Sequence, residues 1–252
     1  MSAPTAQEFR SSIALDTERI ATLAEADPNA AVPSCPGWDV ARLAGHVGRV
    51  HRMTIGVLMN PVDGFPDPST MEKPPTDPVL SAGFVRAGAA TLDALLADRD
   101  IDSPCWNFLN EPSFARFWFR RQCHETAVHR HDAELAFDTA ASPTTPPILA
   151  VDGIDEYFVF VRERLLGARG LASLGGSLHL HATDTPGEWM ITVDNGVIAL
   201  SHGHGKGDAA IRGTASDLFL GLWGRLDLVH DARFERFGSA DVIAALGSLG
   251  GT

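Results

Sequence analysis

The chain has 252 residues, 44% of them hydrophobic, and a formal net charge of -12 at pH 7. It is long enough to bury the cores of two domains, and its negative charge argues against binding to a nucleic-acid backbone. The three cysteines, Cys35, Cys105 and Cys123, are odd in number and widely spaced, which argues against a disulfide scaffold and an all-thiolate zinc site.

The N-terminal segment and the apolar runs indicate a soluble protein. Residues 1–25 carry acidic residues at intervals and lack a basic stretch followed by an apolar run, so they do not resemble a secretory signal. Apolar runs such as Tyr157 to Val161 and Gly196 to Leu200 are far shorter than the roughly 20 residues that cross a bilayer. We therefore expect a cytoplasmic protein without membrane contacts.

The first 140 residues predict four helices. Apolar residues recur at helical spacing from Thr5 to Ala26, and again from the N-cap candidate Asp39 to about Met59. Further helices are predicted from about residue 79 to 98 and from about 113 to 140, with an exposed Pro- and Asp-rich loop over 61–78. Four helices with two longer connections are typical of an antiparallel bundle, in whose core ligands from facing helices can meet.

The pattern changes after a Pro- and Thr-rich tract at 141–147, where we place the domain boundary. This gives domains over 1–147 and 148–252. The second domain is predicted to be smaller and of mixed α/β type. Its predicted helices cover 152–166, 217–224 and 240–249, and its predicted strands cover 177–183, 188–194, 196–200 and 208–213.

The segment from Arg121 to Asp132 in the fourth helix carries the most ionisable and metal-binding residues. At about 100° per residue, Glu125 and His129 lie roughly 40° apart on the helix surface, and Asp132 returns to nearly the same line. This spacing lets one carboxylate and one imidazole hold the same metal ion. The alternative is an ordinary interaction between side chains at positions i and i+4 of a helix, which forms without any metal ion.

Other histidine pairs in this helix fit a metal less well. His124 and His129 are five positions apart, roughly 140° around the helix, so the segment does not match the His-Glu-x-x-His pattern of metallopeptidases. His124 and His131 are separated by two turns, roughly 10 Å, which is too far for one ion. We expect His124 and His131 at the surface or at the edge of the core.

A third ligand is expected from another helix, because catalytic metal sites with nitrogen and oxygen donors normally take three protein ligands. The second helix offers His46, on a face with Leu43 and Val50, and His51, which could lie at the rim of the same core. Helical periodicity alone does not separate these two histidines.

Three segments resemble the mycothiol-dependent maleylpyruvate isomerase family. They are Cys35-Pro-Gly-Trp-Asp-Val-Ala-Arg-Leu-Ala-Gly-His46, Glu125-x-x-x-His129-x-x-Asp132-Ala-Glu, and Gly213-Thr-Ala-Ser-Asp-Leu-Phe-Leu-Gly-Leu-Trp-Gly-Arg225. The resemblance spans both predicted domains and implies a DinB-like four-helix bundle followed by a domain akin to sterol-carrier proteins. It also implies one zinc or other divalent metal ion held by His46, Glu125 and His129, with mycothiol as the thiol cofactor.

The chemistry implied by this resemblance is activation of a thiol. A metal ion lowers the pKa of a bound thiol, so that a thiolate exists near neutral pH and can add to an electrophilic carbon. Addition to a conjugated double bond, rotation and elimination would convert a cis isomer to a trans isomer, whereas a retained adduct would be an S-conjugate. The expected partners are therefore a low-molecular-weight thiol and a small-molecule electrophile.

Two further residues are candidates for catalytic roles. Asp132 is predicted to orient His129, with a solvated surface carboxylate as the alternative. Arg225 is predicted to hold substrate carboxylates across a domain cleft, unless it forms a structural ion pair with Asp217 or Asp227.

The remaining candidate residues are expected to be structural. His202 and His204 suggest a second metal site, but the glycine-rich sequence around them favours a solvent-exposed loop. Cys123 is expected to be a small packing residue. Like His124 and His131, His51 is expected at the surface or the core edge if it is not a ligand.

Two rival functions are compatible with the same residues. A binding or regulatory module could keep the bundle and the metal without turnover. A metal-dependent hydrolase could place water in the open coordination position. Thiol-dependent turnover separates the three functions.

Overall fold

The computed structural model describes residues 3–61, 64–109, 113–137, 145–160, 173–195 and 197–247. The chain forms two compact units, Pro4–Pro143 and a second one that comprises Thr144–Thr252 with the first three residues. We call them the helical unit and the sheet unit. Most of the tract predicted as the domain boundary, residues 141–147, lies outside the described residues.

Four α-helices make up most of the described part of the helical unit. They are α1 (Ala6–Ala26), α2 (Val40–Met59), α3 (Ser81–Ala97) and α4 (Arg116–Leu135), with a 3-10 turn at Pro78–Leu80 before α3. Both α1 and α2 pack against α3 and against α4. This packing places α2 and α4, which carry the candidate ligands, beside each other around a common core.

Side-chain caps explain where α1 and α2 begin. Thr5 and Glu8 form a capping box at the start of α1. The side chain of Asp39 accepts a hydrogen bond from the backbone N–H of Arg42 at the start of α2. Such caps satisfy backbone donors that have no partner within the helix. Both helix starts agree with the prediction.

Helix α4 is shorter than the predicted 113–140. It begins at Arg116, because Phe114 pairs with Pro104 in an antiparallel β-bridge and only the N-cap residue Ala115, already in the right-handed helical region, lies between Phe114 and Arg116. At its other end the helix stops at Leu135 and the chain enters a turn. Glu125 and His129 lie in the middle of α4, so the shorter length of the helix does not affect their spacing.

Helix α3 with the turn before it, Pro78–Ala97, is long and apolar enough to cross a membrane by length and composition alone. The expectation that the apolar segments are too short to cross a bilayer therefore does not hold for Pro78–Ala97. In the helical unit it packs against α1 and α2, and Val85 and Leu92 are fully buried. Gly48 of α2 lies so close that a Cβ there would be 2.6 Å from the Phe84 ring. An apolar composition is what a core helix with such close neighbours needs.

The described part of the sheet unit contains a five-stranded mixed sheet and three α-helices. The elements in chain order are α5 (Pro147–Phe160), β1 (Ser173–Ala182), β2 (Glu188–Asp194), β3 (Val197–His202), β4 (Ala209–Gly213), α6 (Ala215–Leu222), β5 (Glu235–Gly238) and α7 (Ala240–Gly247). The strand order is β3-β2-β1-β4-β5, in which β1 and β4 are parallel and the other neighbours are antiparallel. A helical region followed by a mixed sheet confirms the predicted fold class.

Details of the sheet unit differ from the predictions. Strand β1 begins at Ser173 rather than 177, and α5 begins at Pro147 rather than 152. The predicted end of α5 near 166 lies outside the described residues. Strand β5 was not predicted, because its four residues are too few to show an alternating pattern.

Alternation along β1 and β2 separates two faces of the sheet. The residues on one face are fully buried: Leu178, Leu180, Trp189 and Ile191. Helix α7 packs against β1 and β4, and Asp155 of α5 accepts a hydrogen bond from the Trp189 indole N–H at 2.7 Å. The intervening residues His179, His181 and Glu188 therefore lie on the opposite face.

Candidate metal centre

Two neighbouring helices bring three donor side chains together in the helical unit. His46 comes from α2, and Glu125 and His129 come from successive turns of α4. Glu125 Oε1 lies 3.2 Å from His46 Nε2 and 3.3 Å from His129 Nε2. The three donor atoms all lie within 4.8 Å of one another. The structure thus brings together the three residues predicted as metal ligands.

Arg121 fixes the orientation and the ionisation of Glu125. Its guanidinium, one turn earlier on α4, donates a 2.6 Å hydrogen bond to Glu125 Oε2, which leaves Oε1 facing the two imidazoles. Burial would raise the pKa of Glu125. The charge of Arg121 and the hydrogen bonds with His129 and His46 outweigh burial and hold that pKa well below its usual value. Glu125 is therefore a carboxylate, which is the form that binds a metal.

Asp132 holds the other side of the His129 ring. Its Oδ2 accepts a hydrogen bond from His129 Nδ1 at 2.9 Å, its Oδ1 accepts one from Ser34 Oγ at 2.6 Å, and Asp132 is fully buried. The contact predicted for Asp132 is present, and the alternative of a solvated surface carboxylate is wrong. Because a carboxylate only accepts hydrogen bonds, Nδ1 carries a proton and Nε2 is the nitrogen available to a metal.

The pKa of His129 shows that the site attracts positive charge. Burial alone would lower this pKa, but hydrogen bonds with Asp132, Cys35 and Glu125 raise it well above the usual histidine value. A metal cation at Nε2 would replace the proton there and would meet the same negative surroundings.

The loop before α2 also forms part of the site, and helical periodicity gave no indication of it. The Trp38 ring lies 5.1 Å from the His46 ring and stacks on the His129 ring at 6.3 Å. Cys35 Sγ lies 3.6 Å from Asp132 Oδ2. Both loop residues belong to the segment that carries the family resemblance, and that segment was the available signal.

His51, the alternative third ligand, lies apart from this group. It is fully buried, with Nε2 3.4 Å from the Thr126 hydroxyl oxygen, and burial lowers its pKa to about 4. His124 and His131 are buried as well, so a surface position for these three histidines is wrong. Cys123 is fully buried, as expected of a packing residue.

Arg225 lies in the sheet unit, where its guanidinium donates a 2.8 Å hydrogen bond to the Trp223 carbonyl. The two acids considered as its structural partners have other contacts. Asp217 accepts from the Thr214 hydroxyl at 2.7 Å, and Asp227 lies 2.8 Å from a ring nitrogen of His230. The predicted role of Arg225 in substrate binding stays a prediction.

The donor set of the helical unit fits zinc. Imidazole nitrogens and a carboxylate oxygen are ordinary zinc ligands, and three protein ligands leave a position for a further molecule. Cys35, His129 and Asp132 form an overlapping group of possible ligands. The oxygens of Asp132 already accept hydrogen bonds from Ser34 and His129, so the group of His46, Glu125 and His129 is the better candidate.

Comparisons with known proteins agree with this fold. The family model described as the mycothiol maleylpyruvate isomerase N-terminal domain matches residues 10–134, and the model of the C-terminal domain of that family matches residues 149–245. A crystal structure of the mycothiol-dependent maleylpyruvate isomerase is 14% identical with a TM-score of 0.61, and the match covers 94% of this chain and 95% of that chain. A crystal structure of a histidine-to-alanine mutant of the mycothiol-dependent maleylpyruvate isomerase is 13% identical with a TM-score of 0.55, covering 90% and 93%. Among curated proteins no match is found.

Proposed function

Because the chain belongs to the mycothiol-dependent maleylpyruvate isomerase family, we propose that it is a zinc-dependent enzyme that activates mycothiol for addition to an electrophilic small molecule. The observation that carries this proposal is the convergence of His46, Glu125 and His129 from two helices. An ordinary i,i+4 pair on α4 would need neither the imidazole from α2 nor the buried Asp132 behind His129.

When bound at these residues, zinc would lower the pKa of a thiol in the open coordination position, so that a thiolate is available near neutral pH. Residues of the chain prepare that position. Arg121 keeps Glu125 ionised, Asp132 keeps the Nε2 side of the His129 ring directed toward Glu125, and Trp38 packs against both imidazole rings. Ligands held in this way need little reorganisation to bind a metal.

The reaction depends on what leaves after the thiol has added. An electrophile with a conjugated double bond, such as maleylpyruvate, would be returned as the trans isomer with the thiol regenerated. Other electrophiles would keep the thiol as an S-conjugate. Arg225 is our candidate for holding a substrate carboxylate, because a guanidinium can form two parallel hydrogen bonds with that group. A cytoplasmic location, where low-molecular-weight thiols are kept reduced, suits this chemistry.

The test combines zinc content with the thiol dependence of turnover. The purified protein is analysed for zinc and assayed with maleylpyruvate and with a halogenated aromatic electrophile, with and without mycothiol. We expect product only when the thiol is present. His46→Ala should lose one zinc per chain relative to the wild type and should reduce turnover by at least about 100-fold, since even changes behind a ligand cost 10- to 100-fold. His230→Ala, which alters an exposed histidine, is the matched control and should keep both properties.

Two outcomes would overturn the proposal. Turnover without any thiol would favour the hydrolase, and zinc without turnover of either electrophile would favour a non-catalytic module. Unchanged zinc content in His46→Ala would remove His46 from the site.

A further inference from the structure

The sheet unit carries a second cluster of histidine and carboxylate side chains. His179 and His181 alternate with the buried Leu178 and Leu180, so both imidazoles lie on one face of β1. Glu188 is the first residue of β2 and pairs directly with His181 in the antiparallel register. Two adjacent strands therefore fix three donor side chains on the same face of the sheet.

Glu188 lies at the centre of this cluster. Its Oε2 is 2.9 Å from His179 Nε2, 2.8 Å from His204 Nδ1 and 3.6 Å from His181 Nδ1. The His179 ring meets the His181 ring edge-to-face at 5.8 Å and the His204 ring at 5.5 Å. One donor atom from each of the four side chains lies within 4.8 Å of all the others.

The loop after β3 supplies the fourth side chain. The backbone N–H of Gly203 donates to the Glu188 carbonyl at 3.0 Å, and Gly203 has a φ of +113°, a conformation that favours glycine. This turn brings His204 back to Glu188, while the ring of His202 lies 2.8 Å from Asp155. The exposure of His204, at 82%, agrees with the predicted solvent-exposed loop, and the same loop places its ring nitrogen 2.8 Å from Glu188.

Hydrogen bonding accounts for two of the three imidazoles around Glu188 but not for the third. His179 and His204 lie within hydrogen-bond distance of Glu188 Oε2 and fill its two lone pairs, whereas His181 Nδ1 lies 3.6 Å from the same oxygen, beyond hydrogen-bond distance. Imidazole nitrogens and a carboxylate oxygen are typical zinc ligands, and tetrahedral zinc places such ligands about 3.3 Å from one another. Since the four atoms already lie within 4.8 Å, small side-chain movements reach that spacing.

We propose that these four side chains form a second site for a divalent transition metal, for which zinc is the best match. Four protein ligands leave no position for substrate, which is the arrangement of structural zinc sites. Three ligands belong to paired strands and one to the loop, so the metal fastens the loop after β3 to the sheet. Metal binding to a folded site stabilises the fold. This site is independent of the function proposed for the helical unit.

Equilibrium dialysis of the full chain against a buffered series of free zinc concentrations tests the proposal. Bound zinc per chain is measured by elemental analysis for the wild type, His181→Ala, His204→Ala and His202→Ala. We expect His181→Ala and His204→Ala each to weaken the binding of one zinc per chain by at least about tenfold. His202→Ala changes an exposed histidine of the same segment that faces Asp155, and it should bind zinc like the wild type.

Thermal unfolding gives a second readout. Zinc should raise the midpoint of wild type and His202→Ala further than that of His204→Ala, because a ligand that binds only the folded state stabilises it. His204 is exposed, so its removal does not threaten the fold. Equal zinc binding by His204→Ala and His202→Ala would overturn the proposal. Adding His46→Ala to each variant removes the zinc of the helical unit, so a failure of one site is distinguishable from a failure of the other.

Discussion

The two clusters of histidine and carboxylate side chains use the same donor types in different settings. In the helical unit the candidate ligands lie on two helices distant in sequence, with Asp132 fully buried behind His129. In the sheet unit they stand on neighbouring strands and an exposed loop. The first cluster offers three donor side chains, and the second offers four. Ligand number and support, rather than donor type, therefore distinguish a site suited to catalysis from one suited to structure.

Replacing the central carboxylate of each cluster tests this distinction most strongly. Glu125→Gln removes the anion that lies between two imidazoles and faces Arg121. We expect the loss of one zinc per chain and a fall in thiol-dependent turnover of at least about 100-fold. Glu188→Gln should also lose one zinc per chain, and its effect should appear as a lower thermal midpoint in the presence of zinc.

A matched control for Glu125→Gln is Glu72→Gln, which changes an exposed carboxylate paired with Arg52 in the same unit. It should keep the wild-type zinc content and turnover. If Glu125→Gln retained both zinc atoms, the assignment of Glu125 as a ligand would be wrong. The zinc content of Glu188→Gln would not change that conclusion.

The two clusters also show what sequence can predict. The stripe of Glu125 and His129 was visible because both candidate ligands lie on one helix, whose periodicity fixes their common face. The choice between His46 and His51 was not visible, because both lie on inward-facing parts of α2 and only the position of α4 separates them. The family resemblance, which matches residues around His46, made that choice.

The sheet cluster was missed for a different physical reason. The predicted strand over 177–183 already placed His179 and His181 on one face, so half of the cluster was available from the pattern. The approach of Glu188 depends on the register between β1 and β2, and that of His204 depends on one glycine turn. Neither the register nor the turn can be derived from the spacing of residues within one strand.

A partly buried carboxylate outside both clusters makes the stability of the helical unit depend on pH. Asp16 of α1 lies 2.9 Å from the Arg130 guanidinium, which also pairs with Glu134. Burial outweighs the charge of Arg130 and raises the pKa of Asp16 from 3.8 to about 6. The folded state therefore binds this proton more tightly than the unfolded state does. The resulting stabilisation is complete below about pH 4 and is lost as the pH rises through about 6.

Asp16→Asn should remove this pH dependence, because asparagine resembles the protonated carboxyl and does not titrate. Relative to its value at pH 4, the difference in free energy of unfolding between variant and wild type should shift by about 2 kcal/mol in favour of the variant by pH 7. Urea unfolding at several pH values, followed by helical circular dichroism, measures this shift. Parallel pH curves for the two proteins would show that Asp16 titrates alike in the folded and unfolded states.

The contact between Asp132 and His129 tests whether support behind a ligand matters in the helical unit. Asp132→Asn keeps the side-chain shape but removes the charge that accepts from His129 Nδ1 and Ser34 Oγ. We expect zinc affinity and kcat/KM to fall by about 10- to 100-fold. Ser34→Ala leaves the carboxylate and its bond to His129 in place, so its effect should be smaller. The thermal midpoint of Asp132→Asn without zinc distinguishes two roles of Asp132. If Asp132 is structural, the midpoint falls together with kcat/KM. If Asp132 positions His129, kcat/KM falls and the midpoint stays at the wild-type value. Wild-type zinc affinity in Asp132→Asn would mean that the ligands of α2 and α4 hold the metal without this support.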